Sequence, residues 1–338
     1  MPASTTQKAT IYDVADRAGV SIATVSRTFN GYEDVSESTR KKVRAAARAL
    51  RFRPSRPARS LAQQGRRTIG VAVPTFTTAF HNELLKGIRD RLERQEADLL
   101  LCDLDWQRPL GSLRGFLSGG AIDGLILVGA GSAPDLRSEV GALGSPAVLL
   151  GGSMEGVDTF GWNDVEGART ATKHLIDQGY SKIRMITSHH EDPTRDARID
   201  GFRLALRESG LGFEDAWIAT GQTDKQAGFS EESGQEAMEA LLERHPDVEA
   251  VFACSDVQAI GAWQALRRKN RRVPEDVALI GYDDLKVSRF IGLSSVSQRT
   301  HSVGWEATRL LLKRLGGNGP TETISQVIEP DVIRRAST

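Results

Sequence analysis

The sequence predicts an α/β protein with a small all-α head and a larger body of two lobes, each built on a parallel, doubly wound sheet. The first 50 residues show helical patterns and a glycine turn, whereas short apolar runs alternate with helical patterns from Thr68 onward. The charge changes at the same place. Residues 1–67 hold 14 Lys or Arg against 5 Asp or Glu, a net charge of +9, and the remainder carries −9. A basic head on an acidic body indicates a module that binds a polyanion, attached to a part that repels it.

The stretch from Thr10 onward predicts two short helices around a tight turn. Thr10 can cap the first helix, with Asp13 three residues later as in a capping box. Gly19 stands where that helix must end, because glycine adopts positive φ without cost. Ser21 can cap the second helix. This is the geometry that places a second helix in the DNA major groove, although the spacing alone also suits an ordinary helical hairpin inside a core.

A third helix and a short basic segment complete the head. Ser36 can cap a helix that runs to about Leu50. Pro54 ends that helix, Ser55 is a suitable N-cap, and Gly65 ends the segment that follows. The segment from Ser55 to Gly65 has room for a helix of some eight residues, which is too short to be stable alone in water. We therefore expect this segment, the hinge, to become ordered only when something binds it.

The body carries two series of strand and helix patterns. Apolar runs that resemble buried strands lie at 69–73, 99–104, 122–128 and 147–150, and again at 183–187, 248–254 and 277–281. Ligands of open parallel sheets bind beyond the carboxyl ends of the strands, so the cleft between the two lobes is the predicted binding site. A helix over 302–315 and one strand-like run over 325–333 complete the chain.

Composition argues against several classes of protein. No apolar run approaches the ~20 residues of a membrane span. The first nine residues lack the apolar core of a signal peptide, so we expect a cytoplasmic protein with no membrane partner. Cys102 and Cys254 lie in separate apolar runs, which favours buried strands over a disulfide. No nucleophile–base arrangement or phosphate-binding glycine loop is recognisable, which argues against an enzyme and predicts no cofactor.

Residues 189–192 read His-His-Glu-Asp, which is a metal-rich composition. Adjacent residues seldom converge on one ion, and this run directly follows a predicted strand. We therefore predict a loop that lines the cleft, with His189 as an effector-binding residue and with no metal site.

Short motifs occur along the whole chain in a distinctive order. In the head they are Thr-Ile-Tyr-Asp-Val-Ala at 10–15, Ala-Gly-Val-Ser at 18–21, Ala-Thr-Val-Ser-Arg at 23–27 and Ala-Arg-Ser-Leu at 58–61. In the body they are Asp-Gly-Leu-Ile at 123–126, Gly-Phe at 201–202, Pro-Glu-Asp-Val at 274–277 and Gly-Tyr-Asp-Asp at 281–284. Together they resemble the lactose-repressor (LacI/GalR) family of bacterial transcription regulators. The resemblance implies a homodimer or higher oligomer, with helix-turn-helix heads on a pseudo-palindromic operator. It also implies a body like periplasmic sugar-binding proteins, with a small-molecule effector between the lobes.

The resemblance also implies roles for residues of the second helix. Ser21 contacts phosphate, Ile22 and Ala23 occupy the two base-reading positions, and Arg27 reads a base one turn later. Ile and Ala offer only apolar contact, which suits a thymine methyl, whereas Arg can pair with guanine through two hydrogen bonds. Further polar side chains can set register by binding phosphates: Thr10, Thr24, Ser26, Asn30, Ser36, Thr39 and Ser55. Local helix capping is the alternative role for the hydroxyls.

The hinge resembles the family's minor-groove helix. Leu61 matches the leucine that wedges between base pairs and kinks the duplex, which costs a few kcal/mol of unstacking. Ala58 and Arg59 match its neighbours. Pro57 replaces the usual aliphatic residue, which either stiffens the start of the helix or weakens its packing against a partner hinge.

Effector contacts are implied at the carboxyl ends of strands. Asp283 matches a ligand contact and can accept two sugar hydroxyls; its alternative is a strand-end turn. Arg198 matches an arginine that clamps ligand, with a helix salt bridge as the alternative. Asp256 and Phe80 match two further cleft positions, although the amide that usually precedes that aspartate is Ser255 here.

The step at 162–164 departs from the family pattern. It reads Trp-Asn-Asp in place of the more usual Val-Asp-Asn. Trp162 either stacks on a sugar face or packs at the interlobe hinge. Asn163 is kept as an effector-binding candidate.

Taken together, the sequence predicts a sequence-specific DNA-binding transcriptional regulator, with repression favoured, that responds to a small-molecule effector. A carbohydrate is the favoured effector and a nucleobase the alternative. A solute-binding protein without gene regulation is the rival class, and the basic head argues against it. The predicted domains are a DNA-binding head at 1–53, a hinge at 54–67 and a body at 68–338, with lobes at about 68–162 plus 298–325 and 163–297 plus 326–338.

Overall fold

A computed structural model describes residues 10–29, 35–50, 67–95, 97–104, 109–117, 122–129 and 134–338. The predicted hinge contacts Ser55, Ala58, Arg59 and Leu61 lie outside the described residues, as does Asn30. Their roles in DNA binding therefore stay predictions.

Three helices form the head: α1 (Ile11–Ala18), α2 (Ile22–Phe29) and α3 (Glu37–Ala49). Thr10 and Asp13 form the predicted capping box, and Gly19 ends α1 with a φ of 66°. The apolar stripes of the helices meet in one core of Val14, Ala15, Val25, Val43, Ala46 and Ala47. The helix-turn-helix is confirmed.

The first lobe alternates strands and helices. Its elements are β1 (Arg67–Val73), α4 (Ala79–Leu92), β2 (Ala97–Asp103), α5 (Pro109–Leu117), β3 (Gly124–Val128), α6 (Pro134–Ala142), β4 (Ala147–Leu150) and β5 (Asp158–Trp162). These strands form a parallel sheet in the order β5-β4-β3-β1-β2. Every residue of β3 is buried, as expected of a parallel sheet with both faces covered.

The second lobe repeats this winding. Its elements are α7 (Asp164–Asp177), β6 (Ile183–Thr187), α8 (Pro193–Glu208), β7 (Ile218–Thr220), α9 (Glu231–Arg244), β8 (Ala250–Ala253), α10 (Asp256–Arg268), β9 (Ala278–Tyr282), α11 (Lys286–Ile291) and β10 (Ser294–Ser297). The strand order is β10-β9-β8-β6-β7, again parallel. The predicted pair of doubly wound lobes is confirmed.

The chain passes between the lobes three times. It crosses after β5, again between β10 and α12 (Thr300–Leu315), and finally between β11 (Ser325–Ile328) and β12 (Asp331–Ile333). β11 pairs with β5 in the first sheet, and β12 pairs antiparallel with β10 in the second. The predicted single strand over 325–333 is therefore wrong, and so is the lobe boundary after residue 325. Pro330, which has no N–H, separates two strands that belong to different sheets.

Close helix contacts in each lobe depend on glycine. Where α4 meets α12, a Cβ on Gly87 would lie 1.9 Å from the backbone oxygen of His301. Where α9 meets α10, a Cβ on Gly261 would lie 1.9 Å from the backbone oxygen of Glu231. Neither contact leaves room for a methyl group. Among the described residues, no helix is long and apolar enough to cross a membrane.

Candidate functional sites: the helix-turn-helix and the interlobe cleft

Helix α2 presents its predicted base-reading side chains to solvent. The Ser21 hydroxyl accepts a hydrogen bond from the Thr24 N–H at 3.1 Å and so caps the helix. Ile22 is 40% exposed, and Ala23 and Arg27 are exposed as well. The core of the head therefore does not use these side chains, which lie on the exposed face of α2.

The other predicted phosphate contacts lie mainly at helix starts. Ser36 Oγ accepts from the Thr39 N–H at 3.3 Å and lies 2.8 Å from Thr39 Oγ1. Thr10 Oγ1 accepts from the Asp13 N–H at 3.4 Å. Helix N-termini attract phosphate because their first N–H groups lack partners and carry partial positive charge. Capping and phosphate binding are thus compatible roles here.

A hydrogen-bonded chain spans the cleft at the crossing between β10 and α12. The Trp162 indole Nε1–H, at the end of β5, donates to the backbone oxygen of Gln298 at 2.9 Å. The Gln298 amide Nε2 donates to Asp283 Oδ1, after the end of β9, at 2.7 Å. Trp162 belongs to the first lobe and Asp283 to the second. Two hydrogen bonds through Gln298 therefore link the first lobe to the second.

Arg198, on α8, forms the buried cationic part of the cleft. Its guanidinium makes an ion pair with Asp164 at 2.9 Å and donates to the backbone oxygen of Cys254. It also lies 3.8 Å over the ring centre of Tyr282. Burial alone would lower the pKa of Arg198, but attraction to Asp164 and neighbouring groups outweighs it and raises that pKa. The predicted alternative for Arg198, a salt bridge, is thus present, and it holds the cation beside Asp283.

Asp283 is held in an unusual protonation state. Burial raises its pKa to about 8, although the Arg198 guanidinium favours the charged form. The protonated form of Asp283 is therefore favoured more than in an ordinary aspartate, and that form can both donate and accept hydrogen bonds.

Backbone strain also collects around the cleft. Asp283 and Asp284 have φ values of 110° and 52°, and Arg299, next to Gln298, has a φ of 51°. Non-glycine residues adopt such angles at a cost of about 1–3 kcal/mol each, typically where function requires it.

Aromatic rings form the first lobe's side of the cleft. Phe80 and Trp162 meet edge to face with ring centres 5.5 Å apart, and His81 packs on Phe80 at 5.3 Å. Burial lowers the pKa of His81 to about 4, so this imidazole is neutral. The first lobe therefore offers an apolar wall with no charge.

Asp256 does not face the cleft as predicted. It is fully buried, and Oδ2 accepts hydrogen bonds from the Leu285 N–H at 2.7 Å and the Ser288 hydroxyl at 2.6 Å. Oδ1 accepts from the Ser295 hydroxyl at 2.6 Å. With both oxygens occupied, Asp256 braces the loop after β9 and has no atom for an effector. Burial raises its pKa to about 6.

Asn163 and His189, which were also predicted to bind the effector, form hydrogen bonds with other residues of the protein. Asn163 caps α7 by accepting from the Glu166 N–H at 3.2 Å, and its amide lies 3.3 Å from a Glu329 oxygen. His189 Nε2 lies 2.8 Å from Asp224 Oδ1, and its Nδ1 is buried. The Asn163 amide and His189 Nε2 are therefore engaged by other residues, whereas His189 Nδ1 has no hydrogen-bond partner among the described residues.

Sequence reasoning missed Gln298, Tyr282 and the exposed Tyr12 of the head. Gln298 follows a strand in a segment without a recognisable motif, so no local signal marks it. Tyr282 lies inside the quoted Gly-Tyr-Asp-Asp motif, and its buried hydroxyl has no partner among the described residues. Tyr12, which is 64% exposed on α1, stands out only once burial is known.

A helix-turn-helix head joined to two lobes around a polar cleft defines a DNA-binding regulator with a ligand-binding body. Residues 10–55 match bacterial regulatory proteins of the lacI family, and residues 172–338 match a periplasmic binding protein-like domain. The HTH-type transcriptional regulator CelR of Thermobifida fusca is 33% identical over 98% of this chain and 98% of its own length. The HTH-type transcriptional repressor PurR of Histophilus somni is 32% identical over 97% and 98%.

A solved structure of a CelR–cellobiose complex is similar as well, with 32% identity and a TM-score of 0.67 over 98% of this chain and 100% of that one. The chain belongs to the lacI family of bacterial regulatory proteins. Its relatives are transcriptional regulators, so the predicted regulatory function is confirmed, as is the prediction that the chain is not an enzyme.

Proposed function

We propose that this protein is a homodimeric repressor whose operator affinity is set by a sugar bound between the lobes. The observation that carries the proposal is the chain from Trp162 through Gln298 to Asp283, which joins both lobes at the cleft. A ligand that competes for Asp283 would release Gln298 and with it the link to the first lobe.

The chemistry of the cleft suits a carbohydrate. Aromatic rings such as Phe80 and Trp162 can cover the apolar face of a sugar ring. A protonated Asp283 can donate one hydrogen bond and accept another, and a fixed Arg198 can donate to ring or hydroxyl oxygens. The relative that was solved with cellobiose makes this disaccharide the first ligand to test.

The outer surface supports a dimer. Leu99 and Leu101 on β2 are more than one-third exposed, and Phe290 on α11 is 80% exposed. A groove of about 490 Å³ lies between these two elements, lined by α4 and by Leu285, Lys286 and Val287. Apolar surface of this kind usually marks an interface. A second copy seated here would touch both lobes, so it would sense their relative position.

Two paired heads would read a pseudo-palindromic operator, because the two-fold axis of a dimer repeats each contact in the opposite direction. Ile22, Ala23 and Arg27 are the proposed base readers. Such a protein would work in the cytoplasm, bound to the nucleoid.

Operator binding is tested by fluorescence anisotropy with the purified full chain and a pool of palindromic sites. We expect one sequence to bind at least about 1,000-fold more tightly than random DNA at physiological salt. Equal affinity for all sequences at every salt concentration would refute the proposal.

Effector binding is tested by thermal shift with cellobiose, other sugars and purine bases, because a cleft ligand stabilises the folded state by mass action. A sugar that raises the melting temperature and weakens operator binding supports the proposal. Operator must in turn weaken sugar binding by the same factor. A response to purine bases only would replace the sugar with a nucleobase.

Leu61→Ala tests the proposed wedge in the hinge. We expect this variant to retain non-specific DNA affinity but to lose most operator affinity and DNA bending, because the kink would no longer form. Unchanged operator affinity would contradict the wedge.

A further inference from the structure

Two histidines and an aspartate converge at one edge of the second lobe. His189 Nε2 lies 2.8 Å from Asp224 Oδ1, and His190 Nε2 lies 3.2 Å from the same oxygen. The two imidazole rings are 4.1 Å apart between centres. The ligand atoms of the three residues all lie within 4.8 Å of one another. Two imidazoles and one carboxylate are side chains that can together hold a metal ion, and none of the three takes part in the proposed sugar contacts.

The spacing suits a small transition-metal ion. Zn²⁺ binds imidazole nitrogen and carboxylate oxygen at about 2.0–2.2 Å, so two ligands of a tetrahedral ion lie roughly 3.3 Å apart. The two observed separations are within half an ångström of that value. Two imidazoles with one carboxylate favour Zn²⁺, Co²⁺ or Ni²⁺ over Mg²⁺ or Ca²⁺, which prefer oxygen ligands only. We propose that His189, His190 and Asp224 bind one divalent transition-metal ion per chain.

The fold explains why adjacent histidines can serve one ion here. Directly after β6, the Ser188 hydroxyl accepts from the His190 N–H at 3.0 Å and donates to the backbone oxygen of Ala227 at 2.6 Å. This serine ties the histidine loop to the loop that carries Asp224. The third ligand is thus supplied from 34 residues further along the chain. Asp224 is 81% exposed, so an ion can reach the site from solvent.

The site lies beside a strained segment that touches the other lobe. Gln226 and Ala227 have φ values of 51° and 53°. The Gln226 amide donates to the backbone oxygen of Thr77 in the first lobe at 3.4 Å. An ion that joins Asp224 to the histidines would hold this segment in place and favour the contact with the first lobe. Metal binding itself depends on neither operator nor effector.

Equilibrium dialysis of the full chain against Zn²⁺, without a polyhistidine tag, tests the proposal. We expect one Zn²⁺ per chain in the wild type. Removing a group that only hydrogen-bonds to a metal ligand typically weakens metal binding by about 10–100-fold. His190→Gln and Asp224→Asn each remove a ligand itself, so each should weaken Zn²⁺ binding by more than that. His301→Gln is the matched control, because His301 Nε2 forms a similar exposed pair with Asp90 at 2.9 Å but has no third ligand among the described residues.

Each outcome decides the proposal. One Zn²⁺ per chain in His301→Gln, together with weaker Zn²⁺ binding in His190→Gln and Asp224→Asn, supports the proposal. No bound Zn²⁺ in the wild type, or full binding by Asp224→Asn, overturns it, and so does equal loss in all three variants. A measurement that needs no variant is hydrogen exchange of residues 222–230, which Zn²⁺ should slow. Unchanged exchange at saturating Zn²⁺ also overturns the proposal.

Discussion

The two lobes share one winding order but differ in what they bury around the cleft. The first lobe contributes Phe80, His81 and Trp162, which form an uncharged aromatic wall. The second lobe contributes Arg198 and Asp283, together with a fully buried Asp256. The same backbone plan therefore supports apolar packing in one lobe and a costly polar network in the other.

Strain follows the same division. The described residues of the first lobe between 67 and 162 include no non-glycine residue with positive φ, whereas the second lobe has five: Gln226, Ala227, Asn270, Asp283 and Asp284. Strained backbone and buried charge both reduce stability, and proteins keep them where function requires a fixed geometry. We infer that the second lobe carries the recognition chemistry and that the first lobe responds to it.

The largest expected effect comes from removing the buried cation of the second lobe. Arg198→Met leaves the Asp164 carboxylate without its buried ion-pair partner, so we expect a loss of about 3–5 kcal/mol in the free energy of unfolding. Arg94→Met, on the exposed surface of the first lobe just after α4, should change it by less than about 0.5 kcal/mol. Urea denaturation measures both. Equal effects would remove the proposed difference between the lobes.

A matched pair of glycine substitutions tests what the lobes have in common. Gly87→Ala and Gly261→Ala each place a methyl group 1.9 Å from a backbone oxygen, so each should destabilise by about 1–3 kcal/mol. Gly111→Ala on α5 is the control, because a Cβ there meets no described residue within 4 Å and alanine favours the helix by about 1 kcal/mol. A stabilising effect at Gly261 would show that the helices of the second lobe can move apart.

Asp283→Asn tests, through the pH dependence of stability, the cost of placing this partly buried carboxyl in the cleft. The pKa of Asp283 rises from 3.8 to about 8 on folding, so the folded state binds the extra proton between these values. Stability from this group is present below pH 4 and falls as the pH rises towards 8. At pH 8.5 the variant should therefore be more stable than the wild type by at least about 1 kcal/mol, with no gain from this source at pH 4. Parallel pH profiles of the melting temperature would contradict the assignment.

The smallest effect is expected on the first lobe's side of the link. Trp162→Phe keeps most of the aromatic wall but removes the hydrogen bond to Gln298, which should cost about 0.5–1.5 kcal/mol. We expect it to weaken the effect of the sugar on operator binding more than it weakens sugar binding. If both change equally, Trp162 is a ligand contact and does not link the lobes.

Local patterns predicted the head well. Thr10, Asp13 and Gly19 specify the start and end of α1 through interactions within a few residues, and the structure shows these interactions. Periodicity likewise predicted the alternating strands and helices of the body. The prediction of one strand over 325–333 was wrong because the sheet that a strand joins depends on residues far away in the sequence. No pattern within this run indicates that its two halves pair with different sheets.

The candidate site was predicted in part for the same reason. Short motifs mark Asp283 and Arg198 as candidates, and the structure places the two side chains close together, while their binding of an effector stays a prediction. Asp256 also stands at the carboxyl end of a predicted strand, yet its carboxylate accepts hydrogen bonds from three residues that are distant in the sequence. No sequence pattern marks Gln298, because its two hydrogen bonds depend on where the chain crosses between the lobes.

By itself the sequence determined the helix-turn-helix and the two-lobed α/β body, because capping, turn chemistry and hydrophobic period act over a few residues. The class of regulator followed from the resemblance of its motifs to a known family. Tertiary structure alone decided which polar groups face the cleft, which are sealed by hydrogen bonds, and that Asp224 joins two adjacent histidines. Burial and long-range pairing set those outcomes, and both depend on residues that are far apart in the chain.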